Sequence, residues 1–258
     1  MMESIGLYRL KRRLYCLFPP ASVHCPKVNF VKRSKLFPLL LTVFALQALP
    51  GLWADDILTA ADFFGQMQDV YGKAADYEAQ ISIATSKQSM SGTIIYKNPN
   101  LVRIDFSQPA NQVICFNGDE LTIYLPDYSA ILTQTVTGSG AGAAGGANAQ
   151  GLQIMKRNYS IAYESSTQAV PLDATSSEKV IKLALQSRLA SEGYRSIILS
   201  VNPDTKFIRR MEATTVGGAS FRYDFTNIKT NQGIQASRFV YEKPAKANAY
   251  SNFLFKSE

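Results

Sequence analysis

The chain has 258 residues and a formal net charge of +7, but the charge is unevenly placed. Eight of its 27 Lys and Arg and one of its 20 Asp and Glu fall in residues 1–54, so residues 55–258 carry 19 of each and give no footing to nucleic-acid binding. The lone histidine, His24, and two of the three cysteines, Cys16 and Cys25, also precede residue 55. The remainder therefore lacks the groups for Ser-His-Asp or Cys-His catalysis, for imidazole zinc sites and for an internal disulfide.

Lys32, Arg33 and Lys35 precede an apolar run from Leu36 to Leu49, followed by Gly51 and Ala54. The run is about 14 residues long, short of the ~20 needed to span a bilayer. A charged start, an apolar core and a small residue before the cut predict a secretory signal peptide. Its core is placed at 32–54 with cleavage after Ala54. Residues 1–54 are then a leader, and 55–258 form one domain.

An amphipathic helix is expected from Ile57 to Tyr71, with Ile57, Ala61, Phe64, Met67 or Gln68, and Tyr71 on one stripe. Asp55 or Asp56 would cap it and Gly72 would stop it. Tyr77 to Thr85 alternates Tyr77, Ala79, Ile81 and Ile83 against polar positions and reads as a strand. From Ser91 to Val136, five short runs of β-branched and aromatic residues are cut by turn formers, the pattern of an antiparallel meander. Val102, Ile104 and Phe106 point one way; Arg103 and Asp105 point the other. Asn117-Gly118-Asp119 supplies a hairpin turn, and Asn98-Pro99-Asn100 and Pro126-Asp127 end neighbouring strands.

Residues 138–151 are rich in Gly and Ala and are expected to form a mobile loop. The spacing Gly140-x-Gly142-x-x-Gly145 matches a dinucleotide fingerprint, but its flanks are antiparallel in style and it is not read as a nucleotide site. A short helix is expected over Leu152–Tyr159. Strands follow at Lys179–Leu185, Tyr194–Val201, Phe207–Thr214 and Ala219–Phe225, the last with Phe221, Tyr223 and Phe225 against Arg222 and Asp224. Further strands are placed at Ile234–Tyr241 and within Asn248–Glu258. Ten or eleven strands with two to three helices predict a mainly β fold. One large, twisted antiparallel sheet curls into an open half-barrel with the helices as a lid.

Such a sheet must fill its inner face with side chains or leave room for a ligand. Asp105 with Asp119 or Glu120 could form a carboxylate pair for acid–base work, but the three read better as a solvated face and a hairpin turn. No cofactor or metal is expected.

The order of these elements resembles the periplasmic carrier of outer-membrane lipoproteins, the LolA family. The matching stretches are Phe63-Phe64, the run from Gly92 through Lys97 and Pro99 to Leu101 and Arg103, Gln108-Pro109, and Asn117-Gly118-Asp119-Glu120-Leu121 to Pro126. The resemblance implies a non-enzymatic, periplasmic, monomeric carrier with an apolar cavity for lipoprotein acyl chains. Its implied partners are acylated lipoproteins, an inner-membrane lipoprotein exporter and an outer-membrane acceptor. On that reading Ile95, Val102, Ile104, Phe106, Ile123 and Phe225 line the cavity, and Phe63, Phe64 and Met155 belong to the lid. The best-known branch of the family carries an arginine before the strand-ending proline, where it contacts the lid; here that place is Asn98. The alternative is a related half-barrel that senses a lipid or lipoprotein and regulates a membrane signalling protein.

Overall fold

The computed structural model describes residues 58–136 and 147–252. The predicted leader and most of the Gly/Ala segment, residues 138–146, lie outside the described residues. Among those described are two α-helices, α1 (Ala60–Lys73) and α2 (Ala149–Asn158), and thirteen strands. The first half holds β1 (Asp76–Thr85), β2 (Ser89–Lys97), β3 (Leu101–Gln108), β4 (Val113–Phe116), β5 (Glu120–Leu125) and β6 (Ala130–Thr135). The second holds β7 (Tyr159–Tyr163), β8 (Val170–Pro171), β9 (Lys179–Ser187), β10 (Tyr194–Val201), β11 (Ile208–Thr215), β12 (Ser220–Thr230) and β13 (Asn248–Ser251).

The strands join one open sheet in the order β13-β6-β5-β4-β3-β2-β1-β12-β11-β10-β9-β7, with β8 beside β9. The meander of the first half and that of the second meet where β1 pairs β12. Pairing is antiparallel except that β13 runs parallel to β6. The expected all-antiparallel sheet of ten or eleven strands is thus corrected to thirteen strands, mostly antiparallel.

Turn chemistry sets the register. Gly118 has φ 104° in the β4–β5 hairpin, and the Asn117 Oδ1 accepts from the amides of Asp119 and Glu120. Asn202 Oδ1 accepts likewise from Asp204 and Thr205 at the β10–β11 turn. A register shift at Ser91/Gly92 brings β2 against β3 so closely that a Cβ on Gly92 would lie 2.7 Å from the Phe106 Cα and run into the Asp105 carbonyl. Only glycine fits there.

The two faces bury different sets. The inner face carries the main core: Ile81, Ile94, Ile104, Leu183, Leu199 and Phe225 among others, with Phe63, Phe64, Met67 and Tyr71 of α1 and Leu152 and Met155 of α2. The outer face carries a smaller cluster of Ile95, Val113, Cys115, Ile234 and Phe239.

Three expectations are corrected. Thr59 caps α1, accepting from the Asp62 amide at 3.1 Å and donating to its carboxylate at 2.5 Å. A capping oxygen must sit over the amides two or three residues on, a position Thr59 holds; Asp55, Asp56 and Ile57 lie outside the described residues. Gly72 lies within α1 rather than beyond it, and Ala61 is exposed while Phe63 takes its place in the core.

Ile234–Tyr241 is not a strand. It is a strap with a 3-10 turn at Ala236–Phe239, lying on the outer face. Several of its backbone groups are held by side chains rather than by a ladder. The buried Asp76 carboxylate accepts from Gln232 N at 2.6 Å and Ile234 N at 3.0 Å, Lys97 Nζ donates to Ile234 O, and Arg103 donates to Arg238 O. Finally, α2 begins at Ala149, inside the segment expected as loop, because Asn148 caps it by accepting from Gly151 N at 2.7 Å. Tyr159 belongs to β7 rather than to the helix.

Candidate functional site

A hollow of about 270 Å³ lies between the inner sheet face and α2. Its floor is built from alternate positions of six strands: Ile81 and Ile83 of β1, Ile94 of β2, Val102 and Ile104 of β3, Ile197 of β10, Met211 of β11, and Tyr223 and Phe225 of β12. Side chains two apart on a strand share a face, and cross-strand partners extend that face sideways. Ala79, Ile94, Ile104, Ile114, Ile123 and Leu132 form one such cross-strand row. Ile154 and Met155 of α2 form the roof.

One end of the hollow is polar. Glu192 and Gly193 of the β9–β10 loop, Tyr194, Tyr159 and Tyr223 gather there. Tyr159 donates to the Tyr194 carbonyl at 2.9 Å, and the Tyr194 and Tyr223 hydroxyls are 3.1 Å apart. Asn158 of α2 donates to Glu192 Oε1 at 2.7 Å. The other tie of the roof is Tyr77, whose hydroxyl donates to the Ala147 carbonyl at 2.8 Å in buried surroundings. Burial, then the neighbouring Glu192 and Tyr194, push the Tyr159 hydroxyl up to about 12. Burial and the Tyr194 hydroxyl raise Tyr223, and burial with Tyr71 and Tyr96 raises Tyr77. These phenols therefore stay protonated and serve as neutral hydrogen-bonding groups.

Helix α1 closes the core without touching the hollow. Phe63 and Phe64 are almost fully buried. Tyr71 accepts from the Ile208 amide at 3.1 Å and packs edge-on to Phe207, while Lys206 Nζ sits 4.9 Å over the Phe63 ring. Tyr163 of β7 donates to the Leu58 carbonyl at 2.9 Å.

Of the cavity residues expected from sequence, Val102, Ile104 and Phe225 line the hollow. Phe106 is packed into the same core but away from the space, and Ile123 stands on the same face, half-buried, toward the open edge. Ile95 lies on the outer face in the second cluster, so the sequence-based placement is corrected. The reason is register: Ile94 pairs with Ile104 and Ile95 with Arg103, and in the apolar run Ile94-Ile95-Tyr96 either face could have been the inner one. Met155 touches the hollow; Phe63 and Phe64 do not. Sequence reasoning missed Ile83, Met211 and the Tyr194–Tyr223 end. Ile83 was legible in the β1 alternation, whereas the tyrosine pair depends on contacts between strands far apart in the chain.

Neither of the other groups singled out comes together as a site. Arg103 forks onto Asp105 at 2.9 Å and lies 5.8 Å over the Tyr241 ring on the outer face, and Glu120 pairs with Lys243 at 3.3 Å. Asn98 is exposed and donates its amide to the Ala75 carbonyl. Among the described residues no group of three or more His, Cys, Asp or Glu could hold a metal, and no helix is long and apolar enough to cross a membrane.

A family model described as "Outer membrane lipoprotein carrier protein LolA" matches residues 75–242. A curated outer-membrane lipoprotein carrier protein from Actinobacillus pleuropneumoniae serotype 7 (strain AP76) is 30% identical over 105 residues, 40% of this chain and 49% of that protein. The chain thus matches about half the length of that relative. Among solved structures, an uncharacterized conserved protein from Thermus thermophilus superposes with a TM-score of 0.48 at 12% identity, covering 72% of this chain and 98% of that one. A LolA superfamily protein from Nitrosomonas europaea gives 0.38 at 15% identity over 71% and 98%. The MucA/MucB complex of Pseudomonas aeruginosa gives 0.46 at 12% identity over 73% and 62%.

Proposed function

The chain belongs to the LolA family of outer-membrane lipoprotein carrier proteins, and we propose on that basis that it shelters lipoprotein acyl chains in the hollow beneath α2 and carries them through the periplasm from the inner to the outer membrane. It acts by binding, without catalysis. Its partners are acylated lipoproteins, an inner-membrane exporter that loads it and an acceptor at the outer membrane that unloads it.

The observation that carries this reading is an unfilled, largely apolar space on the inner face of the sheet, beneath α2. Each CH₂ moved there from water gains about 0.8 kcal/mol. The space, about 270 Å³, falls just below the ~300–1,000 Å³ of small-molecule sites. A full acyl chain therefore requires α2 to shift outward, carrying Met155 with it. Val102, Ile104 and Phe225 are the floor against which the chain lies, with Ile123 on the way in. Phe63 and Phe64 hold α1 in place at the side, while α2 is the part that moves. Limited hydrogen bonding through Tyr77 and Asn158 suits a roof that must both seal and release.

The test is mass spectrometry of material co-purifying with the protein from its native envelope. Many diacylated or triacylated lipoproteins support the carrier. Recovery of one membrane regulator in stoichiometric complex, without lipoproteins, would replace it with a sensing role.

A further inference from the structure

Taking the hollow as an acyl-chain site, the polarity of its two ends restricts what the chain is attached to. Along the floor and roof the lining is hydrocarbon; at one end stand Glu192, Tyr194 and Tyr223. Glu192 is the only charged side chain among the described lining residues, and no Lys or Arg among them lines the space. A carboxylate offers about four acceptor sites, more than the Asn158 amide fills. The Tyr194 and Tyr223 hydroxyls share one hydrogen bond, which leaves acceptor lone pairs on both. The N-terminal end of α2 also reaches the hollow and would ordinarily favour an anion, but the Asn148 side chain already takes the Gly151 amide.

We infer that the Glu192–Tyr194–Tyr223 end is a head-group subsite selecting acyl chains whose head is neutral or cationic and donates hydrogen bonds: a hydroxyl, an amide N–H or an ammonium. That is the chemistry of a chain attached to glycerol or to a peptide amine. A free fatty acid or a phosphate-headed lipid brings an anion to the half-buried Glu192 carboxylate in a hollow whose lining holds no Lys or Arg, which is repulsive.

The test is displacement of the apolar dye N-phenylnaphthylamine from the purified protein by three ligands sharing one chain length: monolaurin, dodecylamine and laurate. Monolaurin and dodecylamine should each compete about tenfold or more better than laurate, a difference of about 1.4 kcal/mol. Glu192→Gln keeps an oxygen for Asn158 and should hold its melting temperature while letting laurate approach monolaurin to within about twofold. Tyr223→Phe, which keeps the ring and removes the hydroxyl, should weaken monolaurin by a larger factor than it weakens the dye. Equal competition by all three ligands in the unsubstituted protein, or a gap that survives Glu192→Gln, would overturn the subsite and leave the carrier reading standing. No displacement by any of them would sink the hollow as a lipid site and the subsite with it.

Discussion

The two faces of this sheet are made by the same strands and end differently. On β3, Val102, Ile104 and Phe106 face inward while Arg103 and Asp105 face outward. Outside, the strap of residues 231–241 is fixed at several points: Asp76 holds two of its amides, Lys97 and Arg103 hold two of its carbonyls, and the Cys115 thiol meets the Phe239 carbonyl at 3.1 Å. Inside, the cover is a short helix that satisfies its own backbone and touches the sheet through side chains, with few ties to it. A space persists beneath it. Lifting the roof breaks a few ties, among them Tyr77 to Ala147 and Asn158 to Glu192, whereas lifting the strap would leave the buried Asp76 carboxylate unpaired. The character of the cover, more than the apolarity of the face, thus decides which side becomes a site.

The most severe challenge to the contrast is Phe239→Ala. It should leave a cavity in the outer cluster and destabilise the protein by about 3–5 kcal/mol, read as a lower urea midpoint. Apolar-dye binding by the fraction still folded should be normal. Loss of dye binding in a folded Phe239→Ala protein would mean the faces are coupled. Next, Met211→Trp should fill the hollow, weakening lipid competition by about tenfold (1.4 kcal/mol) with little change in melting temperature. Unchanged competition would place the ligand elsewhere.

Tyr77→Phe removes the buried bond to Ala147 and should cost about 1 kcal/mol of stability while speeding dye exit measured by stopped flow, because the roof loses one of its ties. The smallest effect concerns pH. Burial, countered in part by Arg103, raises the Cys115 thiol from 9.0 to about 11, so the folded state prefers the neutral thiol more strongly than the unfolded chain does. Stability from this group is complete below about pH 9 and declines as pH rises from 9 toward 11. Labelling of Cys115 by a disulfide reagent at pH 8 should accordingly be slow in the native protein and fast in urea; rapid native labelling would show the strap to be loose.

Much of this fold is legible in the residues alone. The alternation in β1, β3 and β12 and the turns at Asn117-Gly118 and Asn202-Pro203 lie where the residues indicated, since each depends on neighbours within a few positions. Ile94 and Ile95 could not be told apart, because both are apolar and only pairing with Ile104 and Arg103 assigns their faces. The strap looked like a strand for a related reason: Ile234, Phe239 and Tyr241 are apolar enough for one. The Asp76 carboxylate that claims its backbone amides instead is 156 residues distant from Gln232.

Composition and local spacing suffice to say that residues 55–258 form a neutral, mainly β domain without the histidine that Ser-His-Asp or Cys-His catalysis needs. They also set the turn residues and which side chains of a strand share a face, because both depend on near neighbours. Which apolar face is sealed and which stays hollow was settled only in the folded molecule, as was the meeting of Glu192 with Tyr223 at one end of the space. Those outcomes rest on register and on contacts made across the whole length of the fold, and no local pattern encodes them.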